Sequence, residues 1–337
     1  MRYSFVIPVY NRPDEVAELL ESLTHQREQD FEVIVVEDGS QVRCDAVVDR
    51  YSSRLDVHYY EKPNSGPGKT RNYGVARSSG DYVIILDSDV VVPEGYLSAV
   101  SAELAKAPAD AFGGPDRAHP SFTPTQKAIN YGMTSFFTTG GVRGGKKQLD
   151  KFYPRSFNMG VKRSVYEALG GFSAMRFGED IDFSTRIFQA GYRCRLFPEA
   201  WVWHKRRTDL RKFFRQVHNS GIARIHLTRR HPGTLKVVHL LPAVFTLGVA
   251  LCVIGALSAL CFAPVVSLWC LCPLLLYALL IWADATRREH SLGVGLRAVA
   301  AAYVQLTGYG TGFLRAAWRC YVLHDGEFEA FRQTFYK

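Results

Sequence analysis

Apolar residues in the first quarter of the chain fall in short runs, at 3–9, 31–36, 57–60 and 82–86, the length expected of strands buried on both faces. Between the first two runs, Val16, Leu19, Leu20 and Leu23 recur at helical spacing and share one face. Asn11 and Pro13 stand where that helix should begin, positions that favour a cap and a first-turn proline. Strand runs alternating with amphipathic helices predict an α/β fold with a doubly wound, mainly parallel sheet. No internal repeat interrupts the pattern.

The pattern changes near residue 237. Residues 237–283 contain no Asp, Glu, Lys or Arg, a run of 47 residues, and one bilayer crossing needs about 20. Two transmembrane helices fit, joined by a tight turn at Ala263 and Pro264. A third apolar stretch, 298–314, holds Gln305 and three glycines between Arg297 and Arg315 and is expected to lie in the membrane interface.

Charge orients this hairpin. The net charge is +9, and residues 205–236 carry ten Lys or Arg against one acid, Asp209. That block precedes the first span, and Arg287 and Arg288 follow the second, so the positive-inside rule puts both flanks in the cytoplasm. Phe213, Phe214, Val217, Ile222, Ile225 and Leu227 among the arginines read as an amphipathic helix on anionic lipid headgroups, not as a nucleic-acid surface. The start, 1–11, reads as a buried strand and not as a signal peptide, which agrees with a first domain on the cytoplasmic side. A composition of 47% hydrophobic and 22% charged residues excludes disorder, and the seven cysteines have neither disulfide-framework nor zinc-site spacing.

Ligands of open α/β sheets bind beyond the carboxyl ends of the strands. Those ends read Pro8-Val9-Tyr10-Asn11, Glu37-Asp38-Gly39-Ser40 and Leu86-Asp87-Ser88-Asp89. Asp-Ser-Asp alone more often caps a turn, but directly after a buried strand Asp87 and Asp89 can share one hard cation, Mg²⁺ or Mn²⁺. A second acidic group, Glu179, Asp180 and Asp182, follows Gly178 at the start of an amphipathic stretch, where simple helix capping is the competing explanation. Gly68-Lys69-Thr70 lacks the earlier glycine of a phosphate-binding P-loop, which argues against a nucleoside triphosphatase.

These segments, with Gly66-Pro67-Gly68-Lys69-Thr70-Arg71-Asn72-Tyr73-Gly74, Asn158-Met159-Gly160, Gly170-Gly171-Phe172 and Gly178-Glu179-Asp180, resemble an inverting family 2 glycosyltransferase of the GT-A fold, of the membrane-anchored bacterial type, over roughly residues 1–215. The resemblance implies donor-binding roles for Pro8, Tyr10, Asn11, Asp38, Arg71 and Asp87, with Asp38 accepting from a uracil-type base and Arg71 facing the phosphates. It implies Asp180 as general base, acceptor contacts at Glu179 and Trp203, and a metal at Asp89, Asp87 and His204. His204 could equally begin a basic membrane-surface segment, and Trp201 and Trp203 could be packing. The expected layout is a GT-A catalytic domain over 1–204, a basic interface segment over 205–236, two transmembrane helices over 237–284 and an interfacial segment over 285–337.

The implied activity is metal-dependent transfer of a sugar from a nucleotide-sugar, UDP-linked or similar, to a hydroxyl of a cell-surface or lipid-linked glycan at the cytoplasmic membrane face. Transfer to polyprenyl phosphate is the alternative, and a non-catalytic membrane scaffold is a third. Two spans do not supply an export channel, so single-sugar or short transfer is expected. Gly113-Gly114-Pro115 and Gly140-Gly141 are read either as parts of a mobile ligand loop or as ordinary turns.

Overall fold

The computed structural model describes residues 1–140 and 152–325, so Gly141 and Lys337 lie outside the described residues. The chain divides into two compact units, Met1–His119 with Asp150–Lys205, and Pro120–Leu149 with Arg206–Lys337. Residues 120–140, inside the expected 1–204 domain, therefore group with the C-terminal helices.

The strands of the first unit are β1 (Tyr3–Val9), β2 (Phe31–Asp38), β3 (Val57–Lys62), β4 (Tyr82–Leu86), β5 (Val90–Val91), β6 (Ala111–Gly113), β7 (Asp116–Arg117), β8 (Asn158–Lys162), β9 (Cys194–Leu196) and β10 (Val202–His204). Its helices are α1 (Pro13–Thr24), α2 (Asp45–Asp49), α3 (Pro67–Val75) and α4 (Tyr96–Lys106), then, beyond α5 and α6 of the other unit, α7 (Arg163–Ala168) and α8 (Glu179–Gln189). A seven-stranded sheet runs β3-β2-β1-β4-β8-β6-β9, and β8 alone is antiparallel to both neighbours. A second sheet, β5-β10-β7, pairs β10 antiparallel with β5 and parallel with β7.

Alternation along the central strands explains why both faces are covered. Phe5, Ile7, Val33, Val35 and Ile84 face a core completed by Val16, Leu19, Leu20 and Leu23 of α1, while Val6, Ile34, Val36, Val83 and Ile85 face one completed by Val75, Phe183 and Ile187. The doubly wound, mainly parallel sheet predicted from the runs is thus present. One local expectation is corrected. Arg12, not Asn11, is the N-cap of α1, with Pro13 in the first turn. Asn11 takes a left-handed backbone (φ 53°), and its side-chain oxygen accepts from the amides of Gln41 and Val42, tying the ends of β1 and β2 together.

The second unit is helical: α5 (Pro124–Thr134), α6 (Phe136–Thr139), α9 (Leu210–Arg230), α10 (Val237–Ala259), α11 (Pro264–Glu289) and α12 (Leu292–Ala317), closed by a π-helical turn, Trp318–Val322. Among the described residues, α10 and α11 are the helices long and apolar enough to cross a bilayer, and Pro264 opens α11 at the expected turn. Leu251, Leu257, Leu268 and Trp269 on these two helices are exposed, as a lipid-facing surface would be. The stretch 298–314 falls within α12, which buries Val294, Ala298, Ala301, Ala302 and Phe313. Its glycines permit close backbone approach. A Cβ on Gly312 would sit 2.0 Å from the His218 carbonyl of α9, and one on Gly310 would sit 2.3 Å from the Pro242 carbonyl of α10.

Candidate functional site

The carboxyl ends of β1, β2 and β4 open on one edge of the first unit, and the acidic residues there are largely paired. Asp38, at the end of β2, is buried. Its Oδ1 accepts from Lys62 Nζ and from the Ser65 amide at 2.9 Å, and its Oδ2 accepts from the Gly66 amide at 2.9 Å. Burial alone would raise its pKa, but these donors outweigh it and hold the carboxyl below the ordinary value. Asp38 therefore anchors the loop that enters α3, where Gly66 adopts φ 92°. Pro8 and Tyr10 are half-buried beside it, and Asn11 is exposed.

Where β4 ends, Asp87 and Asp89 flank Ser88. Val90 of β5 then pairs with His204 of β10, which carries the imidazole to the acidic turn, and the Lys205 amide donates to the Asp89 carbonyl at 3.1 Å. Ligand atoms of Asp87, Asp89 and His204 all lie within 4.8 Å of one another. Asp89 is oriented from both sides: Arg12 Nη1 donates to its Oδ2 at 2.6 Å, and His204 Nε2 stands 3.4 Å from its Oδ1. Two carboxylates and an imidazole fit a divalent cation, and the nitrogen ligand suits Mn²⁺ better than Mg²⁺, which prefers oxygen donors and water.

The second acidic turn begins at Gly178, whose left-handed backbone (φ 78°) starts α8 at Glu179. Arg71, reaching from α3, joins the two turns with a single buried guanidinium. Its Nη1 donates to Glu179 Oε1 at 2.7 Å, and its Nη2 donates to Asp87 Oδ1 at 2.8 Å and to Ser156 Oγ at 3.1 Å. The same group lies 5.2 Å from the Phe172 ring centroid. Asp180 is held by Arg155, whose Nε donates to Oδ2 at 2.7 Å, while Oδ1 accepts from the Ile181 amide at 2.8 Å. Burial would raise Asp180, but the Arg155 charge and hydrogen bond more than offset it and keep this carboxyl below its usual range. Glu179 moves the other way, because burial and the neighbouring Asp180 charge outweigh the pull of Arg71. Asp182 pairs with Arg186 one turn along α8, and Arg186 also donates to the Leu169 and Gly171 carbonyls, which makes Asp182 structural.

Of the predicted site residues, Arg71, Asp87, Asp89, Glu179, Asp180 and His204 thus form one linked cluster. Trp203 alternates away from His204 along β10 and contacts Trp201 and His119 edge-on, with centroids 4.6 and 5.6 Å away, while Arg117 lies 4.0 Å over the Trp201 ring. Arg12, Lys62, Asp116, Arg155, Ser156 and Phe157 also belong to the site's surroundings and were not singled out from the sequence. Arg12 immediately follows the first strand-end motif and could have been found there. The others lie on an edge strand or in stretches without hydrophobic periodicity. Successive residues at 155–157 touch Asp180, Arg71 and His204 in turn.

The Glycosyl transferase family 2 model matches residues 4–170. A pre-mycofactocin glycosyltransferase of Mycobacterium tuberculosis is 31% identical over 232 residues, covering 67% of this chain and 47% of that protein. YdaM of Bacillus subtilis, described as a probable glycosyltransferase, is 27% identical over 228 residues, covering 64% of this chain and 53% of that protein. The chain spans about half the length of these two relatives. Among solved structures, the mannosyltransferase PcManGT of Pyrobaculum calidifontis, in complex with GDP-Man and Mn²⁺, shares the fold: TM-score 0.57, 17% identity, 94% of this chain and 87% of that one.

Proposed function

Because residues 4–170 form a glycosyl transferase family 2 domain on a GT-A-like sheet, we propose that this chain is an inverting glycosyltransferase, moving a sugar from a nucleotide-sugar to a hydroxyl of a glycan or lipid-linked glycan at the cytoplasmic face of a membrane. The observation that carries this reading is Arg71, whose one guanidinium bonds both Asp87 and Glu179 and so links the two acidic turns. Asp87, Asp89 and His204 would hold Mn²⁺, in keeping with the ion bound by the mannosyltransferase of the same fold. When bound, that ion supplies positive charge against the departing nucleoside diphosphate.

The remaining work falls to side chains. Asp180, kept ionised by Arg155, takes the proton of the acceptor hydroxyl as that oxygen attacks the anomeric carbon from the side opposite the diphosphate. Arg71 pairs with both Asp87 and Glu179, and its one positive charge offsets part of the cost of holding the two acids together. Pro8, Tyr10 and Asn11 line the donor edge, and Asp38 shapes it by ordering residues 62–66. Glu179 stands beside the base, on the acceptor side. The basic faces of α9 and the apolar α10 and α11 would keep the site near its lipid-borne acceptor.

A panel of nucleotide-sugars tested with and without Mn²⁺ decides the matter. Metal-dependent turnover of at least one donor is expected, and Asp89→Asn should remove it. Failure of the wild-type chain both to bind and to turn over any donor would leave the non-catalytic scaffold as the better description.

A further inference from the structure

His204 is supported more closely than a packed surface histidine requires. Its Nε2 faces Asp89 Oδ1 at 3.4 Å, and its Nδ1, sealed from solvent, has Asp116 Oδ2 at 3.6 Å. The ring lies nearly parallel to Phe157, with centroids 4.9 Å apart and planes at 24°. These supports come from three separate places: the exit of β4, strand β7 and the segment entering β8. Strand register brings them together, since β10 pairs Val202 with Asp116 on one side and His204 with Val90 on the other.

An imidazole can offer one nitrogen to a cation only while the other carries the proton, and a carboxylate at that other nitrogen selects the tautomer and ring orientation. A flat aromatic neighbour removes rotation about the ring axis. We propose that Asp116 and Phe157 are positioning residues that fix His204 with Nε2 aimed at the cation shared with Asp87 and Asp89. This inference rests on the reading of those three residues as Mn²⁺ ligands.

The test is Mn²⁺ binding to the full chain in detergent, followed by electron paramagnetic resonance without any sugar donor. Asp116→Ala is expected to weaken Mn²⁺ about 10- to 100-fold, the range found for partners of metal-bound histidines. Asp116→Asn keeps an acceptor for Nδ1–H and should recover part of that loss. Phe157→Leu, with similar bulk but no flat face, should weaken binding several-fold. In each weakened variant the imidazole nitrogen coupling to bound Mn²⁺ should fade together with affinity, which a general loss of packing would not select.

Wild-type affinity and coupling in Asp116→Ala and Phe157→Leu, with His204→Ala impaired, would overturn the positioning role. Wild-type affinity in His204→Ala and Asp89→Asn would instead overturn the cation reading beneath it. If Asp116→Ala loses its metal-free unfolding transition, Phe157→Leu decides by the same comparison.

Discussion

At the scale of single residues, the site is defined by how charge is matched under burial. Arg71 and Arg155 each hold an acid of the α8 turn, yet with opposite outcomes: Glu179 is shifted up and Asp180 down. Burial pushes both upward, and the Asp180 charge adds to the rise of Glu179 against the pull of Arg71, whereas Arg155, with Arg71 behind it, more than offsets burial at Asp180. A base kept below the ordinary carboxylate range stays ionised through neutral pH. Replacing Arg155 by Met removes the lowering influence and leaves burial, which raises the pKa. The acid limb of the kcat profile should therefore move to higher pH, measured as turnover from pH 4 to 8, and an unmoved limb would remove Asp180 from the role of base. Asp38, Asp87 and Asp89 stand out in the sequence because they lie at or just after strand ends, whereas Asp180 is singled out by the family resemblance, since an acid at a helix start is equally explained by capping. Arg155, Ser156 and Phe157 could not be read there, because their roles arise from where the chain returns to the sheet, which no local spacing encodes.

At the scale of elements, apolar runs and helical spacing located β1, β2, β3, β4 and α1, and the long uncharged stretch located the α10–α11 hairpin, close to their observed limits. The two- and three-residue strands β5, β6, β7, β9 and β10 are too short to leave a period, yet β5 and β10 deliver His204 to Asp89. The helix over 298–314 was readable as a helix, while the reason for its glycines lay in partners distant in sequence. Gly221 of α9 shows the same constraint: a Cβ there would fall 2.1 Å from the Tyr309 carbonyl and 2.8 Å from the Phe313 amide of α12. Those neighbours are backbone and cannot rotate aside. Gly221→Ala should therefore cost about 1 to 3 kcal/mol through overpacking. Thermal unfolding in detergent checks this, and an unchanged midpoint would show that α9 and α12 are not so closely apposed.

At the scale of the whole molecule, an acidic site sits in an α/β unit, and a second unit carries basic and apolar helices suited to a membrane. Under the proposed topology, with both flanks of the hairpin cytoplasmic, the α10–α11 turn would face the opposite side of the membrane. Cys261, exposed in that turn, supplies a probe. In a variant retaining only Cys261, a membrane-impermeant maleimide should label intact cells, whereas a cysteine placed at exposed Val42 should react only after permeabilisation. The reverse pattern would invert the proposed topology. If the two acidic turns serve one reaction, donor binding and turnover measured together in Asp180→Asn with Mn²⁺ will separate. Donor affinity should stay within a few-fold of wild type while turnover falls about 10²- to 10⁴-fold. Turnover near the wild-type rate would contradict a shared reaction.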